Sequence, residues 1–517
     1  MATAREKLAS SLQELKALQD SGHRAITSKA LSRTHRERLV HAGFLEEVIK
    51  GWYLPTRPGE QVVSTAAWFA GMRDFVVGYC AERFREAWHL SPEQSLLLRS
   101  GERSLPRQLQ IWAPQGNNQV VELPHGCSLF LYRARATLPS EPFEEEQGLR
   151  LVQLPDALVA AGPSFFTQSP MAARIALGMV DDPTPLLERL LEGSRTTIAG
   201  RLAGAFRALG NEAVADTLVD TMRSAGHAVQ PASPFDQPQE PLPGGRPESP
   251  YVQRLRLTWA QLRQPVQDAF NGIRPGLSPS PYIAKQVVQD AELRFVADAY
   301  HSLSIEGYRV SPELIELVRS GNWDPEGADR QQRDAMAAKG YHEAHKRVME
   351  FIERVLRQPK DALKLQTELS RWYVALFSPS VQAGLLEPGD LAGWRNDQVF
   401  IKGARHVPLP KEAVRDCMPV LFEMMEAEPD AAVRAVLGHF VFVYIHPYMD
   451  GNGRLARFLM NAVLASAGYV WTIIPVQLRN EYMKALDSAS SEGDIEPFAR
   501  LVARLVQEQT AAPLPRP

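Results

Sequence analysis

One stretch constrains this 517-residue chain more than any other: the apolar run AAVRAVLGHFVFVYI, 431–445, which leads straight into HPYMDGNGRLAR, 446–457. By composition the run suits a buried strand or a buried helix. Its length and alanine-rich start favour the helix, while Val and Phe near its end pull the other way. Pro447 then breaks the pattern, Asp450-Gly451-Asn452-Gly453 supplies turn formers, and RLARFLMNAVLASAG resumes a helical period that Gly468 ends. The reading is helix, loop, helix.

A Gly-Asn-Gly turn feeding a helix N-terminus presents several backbone N–H groups with a partial positive end behind them, which is a cradle for an anion, phosphate above all. Arg454 and Arg457 are three apart, so they share one face of the helix near its first turn and can fork onto further phosphate oxygens. Asp450 beside that cradle would be repelled by bare phosphate; it makes sense where Mg²⁺ bridges carboxylate and phosphate oxygens. His446 is a group that takes a proton near neutral pH from an attacking hydroxyl. Together they describe metal-assisted transfer of a phosphate-containing group to a hydroxyl, with the histidine as base and catalysis by positioning and charge neutralisation.

The rest of the composition is that of an ordinary soluble chain of more than one domain, 44% hydrophobic and 23% charged with a net charge of −3. Residues 1–50 depart from it, with nine Lys/Arg against six Asp/Glu, a surplus of positive charge that hints at a polyanion. Cys80, Cys127 and Cys417 lie far apart, as expected in a reducing compartment, and no thiol chemistry follows. The N-terminus reads as a charged amphipathic helix without the apolar core of a secretory signal, and the longest apolar run falls far short of the ~20 residues a membrane span requires. The expectation is a cytoplasmic protein with no membrane partner.

The clearest boundary is PASPFDQPQEPLPGGRPESP, 231–250, whose seven prolines and Gly-Gly pair suit a semi-extended linker. Residues 1–55 read as helix (Arg5 to Ser21), short helix near Lys29, basic helix SRTHRERLVHAG, then the hairpin FLEEVIKGWYLP turning at Lys50-Gly51. That is the order of a winged helix-turn-helix, in which Arg33, His35, Arg36 and Arg38 face DNA and Lys50 sits on the wing. The plainer alternative is a basic solvated helix on a small domain that binds no nucleic acid. The stretch also resembles the winged-helix N-terminus of the abortive-infection antitoxin family. Residues 56–230 read as an α/β unit, with strand candidates LQIWAP and SLFLYRA around the turn-rich QGNN, followed by a helical region at 165–228.

HPYMDGNGRLAR resembles the Fic motif, HxFx(D/E)GNGRxxR, with Tyr448 in the usual Phe place. The resemblance implies an enzyme, a protein adenylyltransferase that moves AMP from ATP to a Ser, Thr or Tyr hydroxyl of a target protein, itself included. By position His446 is the general base, Asp450 the Mg²⁺ ligand and Gly451 to Gly453 the anion hole. Asn452 helps hold the α-phosphate, Arg454 contacts the diphosphate and Arg457 the terminal phosphate. Gly453, where the phosphotransferase branch carries lysine, points to AMP transfer. Residues 391–403 resemble the family's β-hairpin flap, with Val399, Phe400 and Ile401 as an edge for an extended target segment. AYHSLSIEGYRV matches the (S/T)xxxE(G/N) inhibitory motif, which implies that Ser302 and Glu306, on a helix near 290–307, set an ion pair against Arg457. Some relatives use the same glutamate to remove AMP.

The resulting architecture is multidomain: an N-terminal winged helix and α/β region, then an all-α Fic fold over 251–517 with its flap. A homodimer is compatible with it. The rival class is a DNA-binding transcriptional regulator, or toxin-antitoxin-like protein, that uses the Fic site as a nucleotide sensor. His342 and His345 lack the spacing and glutamate of a zinc hydrolase and read as a solvated helix face, and His439 reads as a core hydrogen-bonding residue.

Overall fold

The computed structural model describes residues 3–56, 65–104, 106–134, 144–146, 148–238, 248–321, 329–358, 365–401 and 403–511. They form two compact units, 1–254 with 400–407, and 255–399 with 408–517.

The first unit opens with α1 (Ala4–Asp20), β1 (Ile26–Thr27), α2 (Arg33–His41), β2 (Leu45–Ile49) and β3 (Trp52–Pro55), the strands ordered β1-β3-β2 and antiparallel. Thr3 and Glu6 form a reciprocal cap on α1, and Ser32 caps α2. Gly51, at φ 86°, closes the β2–β3 turn in a conformation that suits glycine. The expected short helix near Lys29 is a turn over 28–30, so the order is helix, strand, helix, hairpin.

Next come α3 (Thr65–Phe84), β4 (His89–Leu90), α4 (Pro92–Arg99), β5 (Gln108–Ala113), β6 (Gln119–Glu122), β7 (Ser128–Arg133), β8 (Glu144–Glu146) and β9 (Leu149–Leu151). The four-stranded sheet runs β4-β5-β7-β6. The two strand candidates, β5 and β7, lie side by side in parallel, with β6 folding back between them in sequence to pair with β7. Six helices follow: α5 (Leu154–Ala160), α6 (Pro163–Gln168), α7 (Pro170–Gly178), α8 (Thr184–Glu192), α9 (Thr196–Ala208) and α10 (Glu212–Ser224). Phe166, Leu202, Phe206 and Leu218 are in their common core, and Phe235 joins it. The start of the Pro-rich stretch is therefore packed, not free. Ala232 N–H donates to Gly200 O at 3.1 Å, and a Cβ on Gly200 or Gly204 would strike the backbone of Gln230 or Ala232. Residues 239–247 of the expected linker lie outside the described residues.

The second unit is helical: α11 (Pro250–Ala269), whose first residues belong to the first unit, then α12 (Ala284–Ile305), α13 (Pro312–Arg319), α14 (Asp329–Arg357), α15 (Leu365–Gln382), α16 (Lys411–Ala427), α17 (Ala431–Ile445), α18 (Asn452–Ser466), α19 (Arg479–Glu492) and α20 (Glu496–Ala511). The ambiguous apolar run is the helix α17, capped by Asp430 and buried on nearly every face, which is why it shows no amphipathic period. α18 packs against α12, α14, α15 and α17.

That packing corrects the reading of His345. It is 2% exposed, against Phe295, Phe458 and Trp471, and burial pushes its pKa down to about 3. His342 is half-buried, and His439 bonds the Tyr482 hydroxyl at 2.9 Å inside the core. Among the described residues no helix is long and apolar enough to cross a membrane.

α14 meets α15 most closely at Gly340, where a Cβ would collide with Leu376 O. Gly340→Ala should lower stability by ~1–3 kcal/mol in thermal unfolding, since backbone cannot retreat as a side chain can. Gly389→Ala, in open space, is the matched control and should change little.

Candidate functional site

α17 ends because His446 leaves the helical region for φ 55° and ψ 62°, a left-handed conformation that costs a residue with a side chain about 1–2 kcal/mol. Arg395 holds this turn. Its Nε donates to His446 O at 2.7 Å, its backbone N–H to Pro447 O at 2.8 Å and its Nη1 to Asp397 O at 2.8 Å, while Nη2 reaches Leu409 O. One guanidinium thus fastens the histidine's backbone to both ends of the 395–409 segment. Nothing in WRND marks this role, because its acceptors are carbonyls that any sequence provides.

The imidazole Nδ1 lies 3.2 Å from Val443 O, which assigns the hydrogen to Nδ1 and leaves Nε2 with a free lone pair. Burial pushes the pKa of His446 down to about 4, with the Val443 bond partly opposing and Arg395 reinforcing. The ring is therefore neutral at physiological pH and able to accept a proton.

The loop after it is tied internally. Asn452 Nδ2 donates to Tyr448 O at 2.8 Å and Tyr448 N–H to Asn452 Oδ1 at 3.0 Å, so this side chain braces the loop and only its N–H is left for an anion. The Tyr448 ring stacks on Tyr373 with centroids 3.9 Å apart, and its hydroxyl faces Ser370 and Trp394, where burial pushes its pKa up to about 12. Gly451, at φ 83°, is the N-cap of α18, and a Cβ there would run into the Phe377 ring. The first intrahelical bond is Leu455 N–H to Gly451 O at 3.0 Å. The N–H groups of Asn452, Gly453 and Arg454 precede it and are the orphan donors of the helix end.

Both arginines are buried, with side chains 1% (Arg454) and 4% (Arg457) exposed. Arg454 lies 5.2 Å from the ring of Tyr308 and 5.0 Å from that of Phe377, and its Nη2 is 3.2 Å from Asp450 Oδ2. Burial works against its charge, but Asp450, Tyr308 and Glu306 more than offset it. Arg457 donates from Nε to Ser302 Oγ at 2.8 Å and from Nη2 to Ser302 O at 3.1 Å and Glu306 Oε1 at 2.7 Å. Among the described residues Arg454 Nε and Arg457 Nη1 find no acceptor although both are buried. Unmet guanidinium donors beside orphan backbone donors are a built deficit of negative charge.

Glu306 is the C-cap of α12 and its carboxylate lies against this deficit: a Cβ on Gly453 would collide with Glu306 Oε1 and come within 3.2 Å of Arg457 Nη1. Asp450, 60% exposed, has one oxygen on Gly451 N–H at 2.6 Å. An accessible carboxylate beside the orphan N–H groups could hold Mg²⁺, an ion commonly bound through one or two carboxylates together with waters and phosphate oxygens.

The structure thus brings together His446, Asp450, Gly451, Asn452, Gly453, Arg454, Arg457, Ser302 and Glu306. It does not bring together the other expected sets. Val399, Phe400 and Ile401 form no strand. The arms there are joined by side chains, Gln398 Nε2 donating to Pro408 O at 2.9 Å, and Phe400 packs in the first unit's core. In α2, Arg36 Nη1 donates to Ser28 O at 2.8 Å over the Tyr53 ring, and Arg38 Nη1 donates to Lys7 O and Ser11 Oγ, both at 2.8 Å. These two arginines, with His35 on Ser11 Oγ at 2.9 Å, seal α2 to its neighbours and do not form an outward basic face. Arg33 is exposed and paired with Glu37 at 2.6 Å, and Lys50 is exposed at the hairpin tip.

Residues 342–464, which carry His446, the orphan N–H groups and both arginines, match the model of the Fic/DOC family. Similar proteins include a protein adenylyltransferase Fic of Nematostella vectensis, 28% identical over 251 residues, 48% of this chain and 55% of the relative. Another, of Drosophila willistoni, is 38% identical over 209 residues, 40% of this chain and 38% of the relative. The chain thus spans about half the length, or less, of these curated relatives. Among solved structures, Fic-1 (residues 134–508) of C. elegans is 21% identical with a TM-score of 0.35, over 66% of this chain and 96% of that one.

Replacing Arg395 with methionine should raise the pKa of His446 from about 4 toward the ordinary histidine value, because a nearby positive charge is lost and the turn opens. NMR titration of the imidazole reads the shift. Thermal unfolding should show a loss of ~1–3 kcal/mol as the carbonyls lose their donor.

Proposed function

We propose that this chain transfers AMP from ATP to a Ser, Thr or Tyr hydroxyl of a protein, and that its own Glu306 holds the site off. The observation that carries the reading is the set of buried, unmet donors around Gly453, with a neutral imidazole at one side and a carboxylate at the other, within the residues that match the Fic/DOC family. Relatives named protein adenylyltransferase Fic support it.

In this reading His446 Nε2 takes the proton of the target hydroxyl as its oxygen attacks the α-phosphorus. The bond from that phosphorus to the bridging oxygen breaks, and pyrophosphate leaves with the electron pair. The N–H groups of Asn452, Gly453 and Arg454 face the developing charge, and Arg454 and Arg457 grip the leaving diphosphate. Asp450 would hold Mg²⁺, which would supply charge neutralisation on the phosphates. Glu306 occupies Arg457 and brings a like charge to the cradle, so the terminal phosphates lose their clamp. The same carboxylate suits orienting a water for removal of AMP, the reverse modification.

With α-labelled ATP and Mg²⁺, Glu306→Gly should label protein, wild type should label at least tenfold less, and Glu306→Gly/His446→Ala should fall by 100-fold or more from the single variant. Equal labelling by all three would remove both the base and the inhibition from this reading. The base must be unprotonated, so labelling by Glu306→Gly should rise as pH climbs through the pKa of His446, which loss of the Glu306 charge moves below about 4, and level off above it. A rate that instead falls over that interval would assign the histidine the wrong role.

A second reading, a DNA reader in residues 1–55, is favoured by the helix, strand, helix, hairpin order with Lys50 at the hairpin tip. In a gel-shift assay with the full chain at low salt, binding that Arg33→Ala/Lys50→Ala weakens about tenfold would support it. Absence of any shift would leave it without basis.

A further inference from the structure

We propose that Tyr308, two residues past the inhibitory glutamate, is a positioning residue for the nucleotide diphosphate, its ring holding Arg454 ready while Glu306 withholds Arg457. The inference rests on the adenylyltransferase reading and deepens it.

α12 ends in a tight reversal. Gly307 N–H donates to Ser304 O at 3.0 Å, Tyr308 N–H donates to Leu303 O at 3.1 Å, and Gly307 takes φ 88°. This is the glycine-terminated helix end in which the residue after the glycine folds back across the last turn. Glu306, as the last helical cap, and Tyr308, as the first residue after the reversal, are thereby aimed at neighbouring groups. Glu306 reaches Arg457 at 2.7 Å and Tyr308 lies 5.2 Å from Arg454.

The two contacts do opposite things. A carboxylate consumes guanidinium N–H donors. An aromatic face holds a guanidinium through its π cloud and consumes none. Arg454 is covered by Tyr308 on one contact and Phe377 on another, at 5.2 and 5.0 Å, yet its Nε has no acceptor and its Nη2 has only Asp450 at 3.2 Å. The plane of the group is fixed while its edge stays available at the first turn of α18, beside the orphan N–H groups. A charge so ordered and desolvated can offer its free Nε to a diphosphate while Asp450 stays on Nη2. Arg333, 5.9 Å from the Tyr308 ring, adds a further cationic contact to it. The inhibitory segment is therefore part of the binding site, and deleting it whole is not equivalent to removing Glu306.

The test uses the full chain carrying Glu306→Gly, with ATP affinity measured by calorimetry and labelling measured separately. Adding Tyr308→Ala should weaken ATP binding about tenfold, the scale of one desolvated cation–ring contact, and should lower the turnover of the saturated enzyme as well, because Arg454 also grips the leaving diphosphate. Tyr308→Phe should retain the affinity of the parent. Tyr308→Leu, which keeps apolar volume without the ring's charge distribution, should weaken binding as Ala does, and covers the case in which Ala does not fold. Unchanged affinity in the Ala or Leu variant, or a Phe variant as weak as Ala, overturns the inference. If the parent binds ATP with the expected Tyr308 dependence but labels nothing, the adenylyltransferase reading fails and the positioning role of Tyr308 stands.

Discussion

Two guanidinium groups buried on the first turns of one helix set the terms for everything around them. Removing such an ion from water carries a penalty of several kcal/mol, which only neighbouring charges and acceptors can offset. α12 brings Ser302 and Glu306 to Arg457, α15 brings Phe377 to Arg454, and the loop brings Asp450. The compensation is incomplete: among the described residues Arg454 Nε and Arg457 Nη1 have no acceptor. Glu306 is the anion the chain itself offers to that deficit, and in the proposed function a nucleotide is the anion that competes with it.

The surroundings divide into a part that is overdetermined and a part that is not. His446 sits in an unfavourable backbone region, and such strain persists only where several contacts fix it. Arg395 and the Asn452 brace, each bonded to backbone on more than one side, supply them. In the role proposed for His446, a base whose nitrogen must meet a hydroxyl in a narrow geometry would gain from that rigidity. Glu306 is held by one arginine and is 31% exposed, so it can leave without disturbing the loop.

How much of this is legible in the sequence depends on whether a role lies in a side chain or in what the side chain touches. The loop and its two helices are readable because a base, a metal ligand, glycines and arginines crowd into twelve residues, each with its own chemistry. Glu306 is readable through its local pattern. Arg395, Tyr308 and Phe377 are not: one acts on backbone carbonyls, the others through faces that meet only once three helices have packed. His345 looked solvated because its own neighbours in sequence are polar, whereas its burial is decided by Phe295, Phe458 and Trp471 on other segments. Parallel pairing of β5 and β7 is hidden in the same way, since two strands joined by turn formers look like a hairpin until β6 is placed. In α2 the arginines were visible but their acceptors, Ser28 O and Lys7 O, were not.

Glu306 sits at the very end of a 22-residue helix, and helix ends open and reclose far more often than helix interiors do. If Glu306 inhibits as proposed, inhibition built there is a matter of frequency as well as of occupancy. Arg479 on α19 donates to Ile305 O at 2.8 Å, and His301 Nδ1 accepts from Val476 N–H at 3.2 Å, so the last turns of α12 are tethered by groups other than Arg457. In the proposed reading, whatever loosens or tightens that tether would reset how often Glu306 leaves Arg457, and so would set the resting leak of the site without a single atom of the nucleotide pocket being changed.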